Sequence, residues 1–89
     1  MNSHVTAEFR RLFMNLPNEV RQRARHSYLL WKENPAHPGV QFKRVHRRQP
    51  IYSVRIGIDW RAVGLRQGET IIWFWIGSHA EYDALLKRL

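Results

Sequence analysis

Cysteine is absent from the 89 residues of this chain, so neither a disulfide nor a thiolate-bound metal can reinforce its fold. A reducing, cytoplasmic setting suits that composition and is the localisation expected. Long apolar runs are also missing. The longest, Ile71 to Ile76, falls far short of the ~20 residues of a membrane-crossing helix. The opening MNSHVTAEFRR has no apolar core of the signal-peptide kind. A soluble protein with no membrane partner is therefore expected. Acids are scarce, with 7 Asp and Glu against 15 Lys and Arg.

Several chemistries are excluded by further absences. No glycine-rich loop has the spacing that cradles a nucleotide phosphate, and no Gly-x-Ser-x-Gly elbow is present. The five histidines, His4, His26, His37, His46 and His79, lack paired ligand spacing, so no metal and no cofactor are expected. Paired acid–base carboxylates are missing as well. Asp59 is the one acid between residues 34 and 66, where seven Lys and Arg are gathered.

What is present is positive charge, unevenly placed. The net charge is +8, and the middle third carries most of it. Such a field favours a polyanion or an acidic protein partner; a generally basic, solvated surface is the plainer alternative.

Hydrophobic spacing divides the chain into elements. Thr6 is a candidate N-cap for a first helix to about Asn15, with Phe9, Leu12, Phe13 and Leu16 at helical spacing. Pro17 and Asn18 interrupt it. A second helix then runs to about Glu33 with Val20, Ala24, Tyr28 and Trp31 on one stripe. Asn34-Pro35 ends it, because a residue before proline is driven out of the helical region. After the turn residues His37-Pro38-Gly39 the period falls from 3.6 to 2. Strands are expected at Val40–Val45, Ile51–Ile58, Trp60–Arg66 and Thr70–Ile76, the last central and covered on both faces. In the second of these, Tyr52, Val54, Ile56 and Ile58 read as the buried face, with Ser53 and Arg55 as the wet one. A closing helix carries Tyr82, Leu85, Leu86 and Leu89. The expected fold is a single α+β domain over residues 1–89: a helical hairpin, a four-stranded mainly antiparallel sheet and a C-terminal helix, with helices on one face.

The residues left for chemistry are cations, one histidine and one tyrosine. They suit RNA cleavage by transesterification, in which a 2′-hydroxyl attacks the neighbouring phosphate. Arginines stabilise the charge that grows on phosphorus, and a proton acceptor and donor complete the set. Arg61, His79 and Tyr82 are the candidates for catalysis; Lys43, Arg55, Arg47 and Arg48 are the candidates for holding phosphate. Each has a plainer role open to it. Arg61 could pair with Asp59 or Glu69, and Arg55 and Lys43 could be solvated surface. His79 could cap the last helix or pack on Trp75, and Tyr82 could be core. Arg47 and Arg48 could be a solvated turn. Trp73 and Trp75 read as core rather than as platforms for bases.

With these residues in place, the chain resembles the RelE/ParE superfamily of bacterial type II toxin–antitoxin toxins. The resemblance lies in the paired helices, the turn and strand HPGVQFKRV, the segment YSVRIGIDWRAVG and the ending WFWIGSHAEYD. Within the middle segment, Tyr52, Arg55, Ile56, Gly57, Trp60 and Arg61 are similar to the family's pattern of Tyr, a basic residue, Ile-Gly, an aromatic and Arg. The resemblance implies a RelE-like, microbial-RNase-type fold and a toxin that forms a hetero-oligomer with a cognate antitoxin. It also implies an endoribonuclease, or mRNA interferase, that acts on messenger RNA bound to the ribosome. Roles carry over to Lys43 and Arg55 at the substrate phosphate, to Arg61 at the transition state, and to His79 and Tyr82 for proton transfer. Two departures stand out. Ser78-His79 occupies a region where some active members keep an arginine or a carboxylate, and no strand pattern precedes Thr6 beyond a short one at His4–Val5. ParE-like members inhibit DNA gyrase on the same fold, and a non-catalytic binder of antitoxin or RNA is a further alternative. In every case the resemblance and the charge imply an antitoxin with an acidic, partly disordered segment. That segment would cover the basic strands or displace the last helix.

Overall fold

A computed structural model describes residues 1–89. The elements follow the order β1 (Asn2–Val5), α1 (Ala7–Met14), α2 (Asn18–Glu33), β2 (Lys43–Arg44), β3 (Ile51–Ile56), β4 (Trp60–Gln67), β5 (Thr70–Ser78) and α3 (His79–Arg88). The five strands form one sheet in the order β1-β5-β4-β3-β2. Neighbours are antiparallel except for β1, which runs parallel to β5.

Local chemistry accounts for the helix ends. The Thr6 hydroxyl accepts the Phe9 backbone N–H at 3.0 Å, capping α1 in the way a side-chain oxygen at this position does. Pro17 opens α2, its carbonyl accepting from Val20 and Arg21. Asn34, extended ahead of Pro35, closes it.

The sheet has two covered faces rather than one. On the first, α1 lies against β5 and α2 against β3. Ala24 and Trp31 of α2 meet Val54, Ile56, Ala62, Ile71, Trp73 and Ile76 of the strands there. On the second, Tyr82 and Leu85 of α3 pack on Ile51 and Val63. The expectation of helices on one face is corrected accordingly. Ser53 is corrected with it: it is 1% exposed, because α3 covers the face that the alternation of β3 marks as wet.

Strand lengths also differ from those expected, and five strands form instead of four. The segment Val40–Val45 keeps strand pairing only at Lys43–Arg44, since Gln41 adopts a positive φ of 46° and turns the chain. β3 stops at Ile56, and Ile58 is 73% exposed in the β3–β4 connection. β1 extends the sheet by pairing Asn2–Val5 with Thr70–Trp73. Four residues of mixed polarity carry no period, so only the tertiary pairing reveals this strand.

One irregularity sets which face each half of β5 serves. Val63 pairs with Trp75 but Gly64 pairs with Trp73, leaving Phe74 as an extra residue in β5. Such a bulge reverses the alternation beyond it. Trp73 therefore enters the hairpin core and Trp75 faces α3. Gly64 opposite the bulge is held to glycine by space. A Cβ there would lie 2.7 Å from Ile71 Cγ2 and 2.8 Å from Trp73 Cε3. The variant Gly64→Ala is expected to lose about 1–3 kcal/mol of stability through overpacking. Urea denaturation measures this, and an unchanged midpoint would show that the two side chains yield freely.

Between the hairpin and the sheet the packing is incomplete. A groove of about 570 Å³ opens there, with Phe9, Phe13, Leu29, Trp31 and Ile56 among its walls and Arg10 and Arg25 at its rim. Met14 and Leu29 beside it are 63% and 64% exposed.

Candidate nucleic-acid site

On the face covered by α3, strand register brings the cations together. Arg55 stands directly opposite Arg61 across β3 and β4. Lys43 stands opposite Ser53, two residues before Arg55 on the same face. Side chains directly opposed in a sheet have Cβ atoms about 5 Å apart, and like charges so placed repel. No carboxylate relieves this pair. Neither Arg55 nor Arg61 forms a salt bridge, and Glu69 lies in the β4–β5 turn at the other end of β4 from Arg61, 3.6 Å from Arg66. Arg55 Nε donates instead to the Gly57 carbonyl at 2.9 Å, and Arg61 Nη1 to the Trp60 carbonyl at 3.3 Å.

The start of α3 adds the histidine. Ser78 is the N-cap, so His79 is the first helical residue and not the cap. Its backbone N–H donates to the Asp59 carbonyl at 2.6 Å, tying α3 to the β3–β4 connection. Its ring stands edge-on to Tyr82, centroids 5.9 Å apart and planes at 82°. The guanidinium of Arg61 lies 5.9 Å from the same Tyr82 ring. Tyr82 is therefore the common neighbour of Arg61 and His79. It is itself buried, 7% exposed, and its hydroxyl donates to Ser53 Oγ at 3.3 Å. Tyr82 is thus both core and site floor. Trp75 lies beside it at 6.5 Å, its indole over Gly77, where a Cβ would come within 2.6 Å of the ring.

The remaining candidates are elsewhere. Arg47 and Arg48 sit in the β2–β3 loop, beyond Ile51 and thus four residues along β3 from Arg55, roughly 13 Å at strand rise. His46 organises that loop, its Nδ1 accepting the backbone N–H of Arg48 and Gln49, and its Nε2 reaches the Leu89 carbonyl at 3.0 Å. These two arginines border the far end of α3 rather than the Arg55–Arg61 pair. Two residues near the pair escape sequence reasoning. Ser53 is hidden by its position on an apparently wet strand face. Asp83 is signalled only by its spacing of four from His79, and its Oδ2 lies 3.3 Å from His79 Nδ1. No three His, Asp or Glu side chains converge as a metal site would require.

A family model, the ParE-like toxin domain, matches residues 18–84. The chain belongs to this family, within the RelE/ParE superfamily of toxins. Comparison with curated protein sequences finds no match. Solved structures are similar in fold. The RelB–RelE antitoxin–toxin complex from Methanococcus jannaschii matches with a TM-score of 0.72 at 17% identity, over 91% of this chain and 96% of that one. YafQ from Escherichia coli matches with a TM-score of 0.71 at 9% identity, over 91% and 96%. The toxin–antitoxin complex RelBE2 from Mycobacterium tuberculosis matches with a TM-score of 0.70 at 17% identity, over 88% and 96%.

The anchoring of α3 has a pH signature. Glu81 closes a capping box: its Oε1 accepts the Ser78 N–H at 3.0 Å and its own N–H donates to Ser78 Oγ at 3.2 Å. The bonds from the Ser78 backbone and then its side chain hold the Glu81 carboxyl below its ordinary 4.5. A group depressed in this way stabilises the fold in full above its unfolded value and loses that contribution as pH falls through the folded one. The stability gap between the native protein and Glu81→Gln should accordingly narrow between pH 7 and about pH 3 in denaturant titrations. A gap of constant size would show that the charge of Glu81 contributes nothing to the cap.

Proposed function

We propose that the protein is the toxin of a type II toxin–antitoxin module and an mRNA interferase, cleaving messenger RNA on the ribosome by 2′-hydroxyl transesterification. The observation that carries this reading is the unneutralised Arg55–Arg61 pair, with Arg61 and His79 both against the Tyr82 ring. A repulsive pair kept without a carboxylate fits an anion that arrives from outside. A phosphodiester supplies that anion.

In the reaction, Arg55 and Lys43 hold the scissile phosphate, and Arg61 bonds the oxygens whose charge grows as phosphorus becomes five-coordinate. His79 takes the proton from the 2′-hydroxyl. The 2′-oxygen bonds to phosphorus, the bond to the 5′-oxygen breaks, and that oxygen leaves with a proton from solvent. A 2′,3′-cyclic phosphate and a 5′-hydroxyl result. Tyr82, its hydroxyl already engaged by Ser53, supports Arg61 and His79 through its ring. Trp75, half-buried beside it, closes the floor.

The antitoxin in this reading uses both faces. Its acidic segment covers the Lys43–Arg55–Arg61 surface, and an amphipathic stretch enters the groove between hairpin and sheet. Two features support the second contact. The groove is apolar with arginines at its rim, and its flanking Met14 and Leu29 are exposed. The variant Leu29→Glu should arrest growth when expressed alone yet be poorly neutralised by the antitoxin, at least tenfold weaker in a binding titration. Full neutralisation would place the antitoxin elsewhere.

For the chemistry, primer extension on messenger in a reconstituted translation reaction gives the test. New 3′ ends at ribosome-occupied codons are expected, and Arg61→Ala should lower the cleavage rate at least tenfold, on the order of 1.4 kcal/mol or more of transition-state stabilisation. Intact messenger in the presence of the native protein would overturn the ribonuclease reading and direct the search to gyrase, through a supercoiling assay free of RNA.

A further inference from the structure

Proton transfer by a histidine requires a defined tautomer, because a neutral imidazole offers one acceptor nitrogen and one donor. Three contacts bear on His79. Its backbone N–H is fixed to the Asp59 carbonyl, one ring edge rests on Tyr82, and Nδ1 lies 3.3 Å from Asp83 Oδ2. Asp83 has no other cation within salt-bridge distance, and the side chains of His79 and Asp83 are 46% and 58% exposed. The opposite ring nitrogen, Nε2, has no partner within the chain and remains open to a substrate.

We propose that Asp83 is a positioning residue that holds His79 in the tautomer protonated on Nδ1, so that Nε2 is the nitrogen presented to the 2′-hydroxyl. The inference rests on the ribonuclease reading for its function, and on the helix for its geometry. Residues four apart on a helix are neighbours on one face, so the turn of α3 between positions 79 and 83 brings the carboxylate within 3.3 Å of Nδ1. The first turn of a helix disfavours an added positive charge. From the 3.3 Å separation a rotation of the ring or the carboxylate aligns the Nδ1–H with Asp83 Oδ2. A free neutral imidazole favours the other tautomer, with its proton on Nε2, which would turn a donor instead of an acceptor towards the substrate.

The tautomer is read directly by two-bond proton–nitrogen NMR correlation on the intact protein, in mildly alkaline buffer without RNA. The native protein is expected to show His79 protonated on Nδ1. Asp83→Ala should move the ring predominantly to the Nε2-protonated form, and Asp83→Asn, whose amide oxygen still accepts, should keep the native pattern. Backbone amide spectra confirm that each variant is folded. The same tautomer in native protein and Asp83→Ala would overturn the proposal, as would Nε2 protonation in the native protein. Cleavage assays supply the second reading. Asp83→Ala should lose about two- to fivefold in kcat with KM little changed, the scale an exposed pair supports, and Asp83→Asn should lose less. If the native protein cleaves no messenger, the ribonuclease reading fails while the NMR result still decides what Asp83 does to His79. A change in KM alone would mean that Asp83 acts on binding, against the proposal.

Discussion

One strand, β5, has to fill two cores, and a strictly alternating strand could not do so with the tryptophans this chain places in it. Trp73 and Trp75 are two residues apart and in regular β-structure would share a face. The unpaired Phe74 moves them to opposite faces. Trp73 then packs edge-on to Trp31 at 5.4 Å, anchoring α2, while Trp75 lies beside Tyr82, anchoring α3. Gly64 leaves space for the first of these side chains and Gly77 for the second. If the bulge were deleted, everything beyond it in β5 would exchange faces, and Ser78 would no longer deliver His79 to the sheet surface that holds Arg61. The position of His79 relative to Arg61 therefore depends on the packing of the middle of the sheet.

The Arg55–Arg61 pair shows which of two demands prevails at that surface. Like charges on directly opposed strand residues destabilise the pairing, and the neighbouring Asp59 could have relieved this. Glu69 sits in the β4–β5 turn at the other end of β4, beside Arg66, and Asp59 offers its carbonyl to His79 rather than a carboxylate to Arg61. Stability is thus given up locally in a domain of a size that has little to spare. It is recovered by the two cores and by the cap and hydroxyl contacts of α3. A local conflict of this kind is where functional pressure is expected to show.

How far the sequence could be read follows from where its signals are local. Both hairpin helices end where Thr6, Pro17 and Pro35 place them, since capping and the restrictions around proline act within a few residues. The juxtaposition of Arg55 and Arg61 was legible because β3 and β4 meet through a short connection, so the two had to come close in any antiparallel pairing. What was not legible depended on distant contacts. β1 has no period of its own and forms because Thr70–Trp73 offers a free edge. Ser53 reads as solvated until α3, some thirty residues later, covers it. Arg47 and Arg48 share the charge of the middle third yet fall at the other end of β3, since charge along a chain says nothing about register.

Helix α3 joins these levels. It is the cover of the smaller core through Leu85 and Tyr82, and it is also the element that delivers His79 and Asp83. Its first turn is held by the Ser78–Glu81 box and by the backbone bond to Asp59, and its middle by the Tyr82–Ser53 contact. None of these depends on the charges of Arg55 or Arg61. An acidic segment that neutralises the two arginines would therefore leave the helix in place, and one that peels the helix away would remove His79 while leaving the arginines on the sheet. The groove on the opposite face lies against neither structure. A partner seated there alone would hold the domain without touching Arg55, Arg61 or His79, so under the proposed function neutralisation by that route requires the same partner to reach round the edge of the sheet to the arginines.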